Sequence, residues 1–261
     1  MKNFFTVLMI CNLVSFCPIT AFAAQTNIAE TEEIQAMIKP PSSSQNSHII
    51  CIDPGHQGSW VDMSVQEPMA PGSSQTKAKA TTGTTGKYSG IPEYEVNLQV
   101  ALSLQQELLD RGYDVVMTRT DNDTAISNKE RAEFAAAESA DITVRIHANG
   151  DNSNTACGAL TMAPTEENLY LDSDIIEQSR TLASCIIDHY CQATGLKNLG
   201  ILSADNMTGT NWSTIPVVIL EMGFMSNEND DLYITDTSNH ETMADGIADG
   251  IDAYFADDIF S

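Results

Sequence analysis

Residues 215–221 read Ile215-Pro216-Val217-Val218-Ile219-Leu220-Glu221. The stretch from Ile215 to Leu220 is continuously apolar and rich in β-branched residues, a composition typical of a strand buried on both faces of a parallel sheet. Glu221 follows it directly, and a carboxylate in such a position is costly unless it is paired or bound to something. The stretch therefore predicts a central strand with a candidate functional carboxylate at its end.

Predicted strands and helices alternate along the rest of the chain. Apolar runs predict further strands at residues 48–52, 113–118, 142–146 and 157–162. Apolar residues at helical spacing predict helices at residues 94–111, 127–139, 174–194 and 240–255, the first and third of them ended by Gly112 and Gly195. This alternation predicts an α/β fold, a single domain whose sheet is covered by helices on both faces.

The N-terminus has the pattern of a secretory signal peptide. Lys2 is followed by a mostly apolar stretch, residues 4–19, and by Ala21-Phe22-Ala23, which predicts a signal at residues 1–23. An uncleaved membrane anchor is the alternative, but Asn12 and Pro18 interrupt a stretch already shorter than the roughly 20 residues that a spanning helix needs. We therefore expect an exported protein, in the cell wall, the periplasm or the medium, without stable membrane association after cleavage.

A polar segment separates this signal from the predicted fold. Residues 24–47 end in Lys39-Pro40-Pro41-Ser42-Ser43-Ser44, a composition typical of a linker. We expect one folded domain at residues 48–256, because no internal repeat of 20 to 50 residues and no second block of different composition follows.

The charge balance excludes some partners. The 261 residues include 12 Lys and Arg against 36 Asp and Glu, a formal net charge of −24. Nucleic-acid binding draws most of its affinity from basic side chains on phosphates, so no nucleic-acid partner is expected. Anionic membrane surfaces are disfavoured for the same reason.

Four cysteines lie outside the predicted signal: Cys51, Cys157, Cys185 and Cys191. Export permits disulfides, and four cysteines allow three pairings. Cys185 and Cys191 are six residues apart in a predicted helix and cannot easily pair with each other, and buried free thiols are favoured. Cys11 and Cys17 lack the preceding small residue of a lipoprotein signal, which makes that alternative weaker.

Three polar residues follow or end predicted strands. His56 comes after residues 48–52 through an Asp-Pro-Gly turn, His147 follows residues 142–146, and Glu221 follows residues 215–220. Sites in open α/β sheets gather at the carboxyl ends of the strands, so these side chains are candidates to converge. Glu93, just before the predicted helix at 94–111, is a fourth candidate, although a helix-capping role is the alternative there.

Histidine and glutamate together suit a catalytic zinc ion, which takes three protein ligands and keeps one position open. Three ligands and one carboxylate base account for the four candidates. Rival chemistries lack their motifs, since the chain has no G-x-S-x-G and no glycine-rich phosphate loop. The segment His240-Glu241-Thr242-Met243-Ala244 begins like a zincin helix but has Ala244 in place of the second histidine.

Five segments, in order, resemble the zinc-dependent N-acetylmuramoyl-L-alanine amidases of the Amidase_3 type. They are Ile52-Asp53-Pro54-Gly55-His56, Glu93-Tyr94-Glu95-Val96-Asn97-Leu98, Val116-Met117-Thr118-Arg119, Arg145-Ile146-His147-Ala148-Asn149, and residues 216–227, which begin Pro216-Val217-Val218. The resemblance extends over residues 49–254. It implies a twisted, mixed and mostly parallel sheet of about six strands.

The resemblance also implies an activity and a set of site residues. Family members cut the amide bond between N-acetylmuramic acid and L-alanine in peptidoglycan. By resemblance, His56, Glu93 and His147 hold one zinc ion per chain and Glu221 is the catalytic glutamate. Glu93 is preferred to Glu95 because the family's ligand stands three residues before the valine of its V-N-L motif, here Val96.

Several points stay open at the level of sequence. A zinc endopeptidase acting within the stem peptide and a non-catalytic peptidoglycan-binding protein are the alternative functions. Arg145 and Asn149 either contact substrate or only support the end of their strand. The long polar segment at residues 57–92 either shapes the substrate groove or crosses the surface. No wall-binding repeat is recognisable, so targeting must come from the catalytic domain, from diffusion or from a partner such as an unidentified activator protein.

Overall fold

The computed structural model describes residues 48–256. The predicted signal at residues 1–23 and the predicted linker at residues 24–47 lie outside the described residues. None of the helices in the described range is both long enough and apolar enough to span a bilayer.

A six-stranded sheet forms the centre of the described chain. Its strands are β1 (Ile49–Pro54), β4 (Asp114–Met117), β5 (Ile142–Asn149), β6 (Ala159–Ala163), β7 (Asn198–Ser203) and β8 (Val217–Phe224), in the spatial order β4-β1-β5-β8-β6-β7. The four strands from β4 to β8 in that order are parallel, whereas β6 runs antiparallel to β8 and parallel to β7. The predicted mixed, mostly parallel sheet is confirmed.

Helices cover both faces of this sheet, as predicted. They are α1 (Glu93–Asp110), α2 (Asn128–Ala137), α3 (Ser173–Thr194), α4 (Thr208–Asn211), α5 (Glu228–Thr235) and α6 (His240–Ala256). Successive side chains of β1 point to opposite faces of the sheet. Ile50 and Ile52 pack in the main core with α1, α3 and α6, whereas Cys51 packs against Ala135 of α2 on the other face.

The helix ends follow the local sequence signals. Ser127 and Glu130 form a reciprocal capping box at the start of α2. Gly112, just after α1, and Gly195, at the end of α3, adopt left-handed conformations with φ of 88° and 72°. These signals are local, which explains why the sequence predicts these ends to within two residues.

Some predicted boundaries were wrong in ways that matter for the site. The predicted strands at 142–146 and 215–220 continue to Asn149 and Phe224, so His147 and Glu221 lie within strands rather than after them. The sequence also missed the edge strand β7, the helices α4 and α5, and a hairpin of β2 (Gln66–Pro68) and β3 (Thr76–Ala78). These elements are short, and β7 contains Gly200 at a φ of 81°.

The cysteines match the expected free thiols but only in part their expected burial, since Cys51 and Cys191 are buried whereas Cys157 is exposed. Cys51, Cys157 and Cys191 are free thiols, so Cys185 and Cys191 are not paired with each other. Burial raises the pKa of the Cys191 thiol to about 11, which keeps it in the unreactive protonated form.

Candidate active site

His56 stands on a tight turn directly after β1. Its backbone is left-handed, with a φ of 63°, an uncommon conformation for a residue with a side chain. Arg131 of α2 supports the turn, since its guanidinium donates to the carbonyls of Pro54 at 2.7 Å and His56 at 2.8 Å. The turn is thus held by a buried cation that lies far away in the sequence.

His147 projects from β5 against the same turn. A Cβ atom at Gly55 would lie 2.1 Å from Cε1 of His147, so only glycine leaves room for this imidazole. The rings of His56 and His147 meet edge to face, with centroids 4.7 Å apart. The Asp-Pro-Gly-His motif therefore has a steric basis, because its glycine admits the second histidine.

Glu93 is the first residue of α1 and joins the two histidines. Its Oε1 lies 3.0 Å from Nε2 of His56 and 3.2 Å from Nδ1 of His147. The ligand atoms of these three residues lie within 4.8 Å of one another, the one group of metal-binding type found in the described part of the chain. Pro92 caps α1 without a side-chain bond. Glu93 lies in the first turn of α1, as the capping alternative expects, but its carboxylate is directed at the two histidines.

Backbone and side-chain donors fix the Glu93 carboxylate. The amide of Ala148 and Nδ2 of Asn97 donate to Oε1 at 3.1 and 3.2 Å, and the amide of Thr84 donates to Oε2 at 2.9 Å. Burial by itself raises the pKa of this carboxyl, but hydrogen bonds and charge from the His147 and His56 rings, which are protonated at the low pH where the carboxyl titrates, outweigh it and hold the pKa well below its usual range. Glu93 is thus ionised, as a metal ligand must be.

Burial determines the charge state of His147. It lowers the pKa of the imidazole to about 4, even though the neighbouring Glu93 carboxylate favours the charged form. The ring is therefore neutral near pH 7, which is the form that binds metals.

Glu221 lies beside this cluster on β8. Its Oε2 is buried and has no hydrogen-bond partner within the described residues. Burial, reinforced by the charge of Glu93, raises the pKa of the Glu221 carboxyl to about 8, although Arg145 opposes the shift. A carboxyl group with a pKa near neutrality can accept and release a proton at low cost, as a general acid and base requires.

Asp53 connects the supporting arginines beneath the site. Its Oδ2 accepts from Nε of Arg145 at 2.6 Å, and its Oδ1 accepts from Arg131 and Thr118. Burial opposes ionisation, but the charge of Arg131 and then that of Arg145 hold the pKa of Asp53 well below its usual range. Arg145 also donates to Oδ1 of Asn128 at 2.7 Å, so its guanidinium is held by both Asp53 and Asn128.

These residues open into one cleft of about 350 Å³. His56, Glu93, His147 and Glu221 all line it, so the structure brings all four predicted site residues together. Arg145 and Asn149, whose role the sequence left open, line it as well, together with residues that sequence reasoning missed: Lys77, Asn128, Met207 and Thr208. No sequence signal marked Lys77 or Met207, because each reaches the cleft only through contacts far along the chain.

His240 does not belong to the site. It is buried at the start of α6, and its Nε2 lies 2.9 Å from the carbonyl of Ile234. The zincin-like beginning of this helix is therefore structural, in agreement with the absence of a second histidine.

Comparison with known proteins identifies the family. A family model for N-acetylmuramoyl-L-alanine amidase, Amidase_3, matches residues 50–253. The uncharacterized protein YqiI of Bacillus subtilis is 31% identical over 168 residues, 64% of this chain and 76% of YqiI. The N-acetylmuramoyl-L-alanine amidase LytC of the same organism is 29% identical over 167 residues, 64% of this chain but only 32% of LytC.

A solved structure agrees with the family and with the fold. The crystal structure of N-acetylmuramoyl-L-alanine amidase from Clostridium difficile 630 superposes with a TM-score of 0.66 at 29% identity, covering 82% of this chain and 99% of that one. The fold and the site define a hydrolase that acts on amide bonds. The chain belongs to the N-acetylmuramoyl-L-alanine amidase family, Amidase_3.

Proposed function

We propose that this chain is an exported, zinc-dependent hydrolase that cleaves the amide bond between N-acetylmuramic acid and L-alanine of the peptidoglycan stem. The observation that carries the proposal is the convergence of His56, Glu93 and His147 in the cleft that also contains Glu221. The family membership indicates which amide bond is cut.

The hydrogen bonds of His56 favour a bound cation. Its Nδ1 lies 2.8 Å from the carbonyl oxygen of Thr81, which can only accept, so Nδ1 carries the proton. In a neutral ring, Nε2 then presents a lone pair toward Oε1 of Glu93, 3.0 Å away. Two lone pairs at this distance repel unless a cation lies near both. Two imidazoles and one carboxylate are a known set for catalytic zinc, so the residues present fit the ion.

The reaction can be assigned to the residues in this cleft. Zinc held by His56, Glu93 and His147 would supply Lewis acidity, which polarises the scissile carbonyl and makes water more acidic. Glu221 would take a proton from the attacking water through its unpartnered Oε2 and return it to the leaving nitrogen of L-alanine. Asp53 holds Arg131 and Arg145 in place and so keeps the turn that carries His56 in position.

The products test the proposal. We would incubate the purified protein with peptidoglycan, with and without a chelator, and identify new ends by mass spectrometry. Chelator-sensitive release of stems with an L-alanine amino terminus is the expected result. Other new amino termini would instead identify an endopeptidase, and metal binding without cleavage would favour a non-catalytic peptidoglycan-binding role.

A pair of variants tests the metal site. Glu93→Gln should lose zinc and activity together, because a neutral amide is a poor ligand. Glu95→Gln removes a carboxylate two residues away on the same helix, outside the group of three, and should keep both. If Glu95→Gln lost zinc and Glu93→Gln kept it, the assignment of the ligand would be wrong.

Export rests on the sequence of residues 1–23. Expression of the full chain followed by fractionation and N-terminal sequencing should find a product that begins at Ala24 outside the cytoplasm. A cytoplasmic product that retains Met1 would contradict this part of the proposal.

A further inference from the structure

Lys77 is the basic side chain in the cleft that no carboxylate compensates. Arg145, which also lines the cleft, is paired with Asp53 at 2.6 Å. Lys77 has no ion pair with any carboxylate of residues 48–256, and its ammonium group donates only to the backbone carbonyl of Asn206. An ammonium group has three donors, so two remain for a ligand.

The hairpin that carries Lys77 is fixed at several points. Nε1 of Trp212 donates to the carbonyl of Pro68 at 2.9 Å, and the amide of Lys129 donates to Oε1 of the buried Glu67 at 3.1 Å. The ammonium group of Lys129 in turn lies over the Trp212 ring, 4.3 Å from its centroid. Lys77 is therefore presented to the cleft from an anchored element.

The negative charge of the whole chain makes a lysine in the cleft important for binding an anionic ligand. A formal net charge of −24 disfavours the approach of anionic ligands. Salt screens the interaction between exposed charges that lie more than about 8 Å apart. A charge inside the cleft therefore affects a bound ligand more strongly than charges elsewhere on the surface do. An unpaired ammonium group in the same cleft as the ionised Glu93 offsets the repulsion of a negatively charged substrate by that carboxylate.

We propose that Lys77 is a specificity-determining residue that binds a free carboxylate on the peptide part of the substrate. This inference rests on the proposed function and deepens it, since it assigns the charge state of the stem that the cleft prefers. Lys77 binds the substrate through charge-assisted hydrogen bonds and takes no part in proton transfer.

Two substrates that differ only in one stem carboxylate, free in one and amidated in the other, test the assignment. The wild-type protein should show a lower KM for the free carboxylate. Lys77→Met should raise this KM on the order of tenfold, the size expected for loss of one charge-assisted hydrogen bond, with kcat nearly unchanged and little effect on the amidated substrate. Lys77→Arg should restore most of the preference.

Lys87→Met is the matched control, because it removes the same charge from an exposed position outside the cleft. It should leave both KM values unchanged. An equal loss on both substrates in Lys77→Met would show that the lysine only supports the Asn206 loop and would overturn the inference. No preference in the wild-type protein, or no effect of Lys77→Met, would also overturn it.

Failure of the proposed function gives a different result. If the wild-type protein released no L-alanine-terminated stems from either substrate, the proposed function would fall and this inference with it. Normal cleavage without discrimination between the substrates would overturn the role of Lys77 alone.

Discussion

His147 and Glu221 are direct neighbours across two parallel strands, since the register pairs His147 of β5 with Glu221 of β8. Neighbouring strands lie about 4.8 Å apart, and residues paired in register point to the same face. The imidazole and the carboxylate therefore emerge side by side into the cleft. This pairing places a proton acceptor next to a metal-ligand candidate without any contribution from a mobile loop.

Proton transfer by Glu221 and metal binding by His147 are separate roles, and this separation gives the first prediction. Glu221→Gln should lower amide hydrolysis by about 10²- to 10⁴-fold, because the amide cannot take up the proton of the attacking water. Zinc content should stay at the wild-type level, since Glu221 is outside the group of three ligand residues. Product release and metal analysis on the same preparations check both, with exposed Glu177→Gln as the control. Wild-type activity in Glu221→Gln would contradict the assigned base.

The pH dependence of stability gives the second prediction, made for the metal-free protein. The pKa of Glu221 is raised from 4.5 to about 8 by burial and by the charge of Glu93. Between these values the unfolded chain releases a proton that the folded chain keeps, so the carboxyl group costs the fold stability as pH rises. Glutamine has no such titration.

We therefore expect the melting temperature of Glu221→Gln, relative to the wild type, to increase from pH 4.5 to about pH 8. Thermal unfolding in the presence of a chelator over this range measures the difference. A difference that stayed constant with pH would show that the carboxyl is not held protonated by the fold.

How much of the site the sequence predicts depends on the range of the contacts. His56, His147 and Glu221 were predictable because strand ends in a parallel sheet share one edge. Glu93 needed the family motif, since its spacing alone is equally consistent with a helix cap. Lys77 could not be predicted, because its place depends on contacts such as that of Trp212 with Pro68, which join distant segments.

The same reasoning applies to the fold. Long apolar runs such as that of β8 predict buried strands from local composition alone. The edge strand β7 is half-exposed and contains a glycine, so neither its composition nor its period distinguishes it from a loop. It becomes a strand only because β6 offers it a partner.

Asn97 gives the third prediction. Its Nδ2 donates to Oε1 of Glu93 at 3.2 Å and to the carbonyl of Gly55 at 3.3 Å, joining α1 to the turn before His56. Asn97→Ala should reduce zinc affinity about 10- to 100-fold, the usual loss when a hydrogen-bond partner of a ligand is removed. It should also cost about 1 to 3 kcal/mol of unfolding free energy, because the buried acceptors lose their donor.

Competition with a chromophoric chelator and urea unfolding measure the two effects. Gln99→Ala, two residues further along α1 and only partly buried, is the control and should change neither by much. Unchanged zinc affinity in Asn97→Ala would mean that Glu93 is held well enough by the amides of Ala148 and Thr84.

Two glycines in the segment at residues 57–92 give the fourth prediction. Gly83 and Gly72 have nearly the same left-handed backbone, with φ of 75° and 74°. A Cβ atom at Gly83 would lie 2.5 Å from Oε2 of Glu93 and 2.8 Å from Cδ2 of His56, whereas one at Gly72 would meet nothing within 4 Å. Alanine thus costs both positions the same backbone strain, about 1 to 2 kcal/mol, but only at Gly83 does it displace ligand side chains.

Gly83→Ala should therefore lose at least tenfold in zinc affinity, together with activity, because Glu93 and His56 must move to admit the methyl group. Gly72→Ala should lose only stability and keep wild-type zinc binding. Urea unfolding measures the shared backbone cost, and chelator competition isolates the part that acts on the ligands. Equal zinc affinities in the two variants would show that the segment at residues 57–92 does not shape the metal site. The expected difference would instead show that this segment packs against Glu93 and His56 and holds their side chains in place.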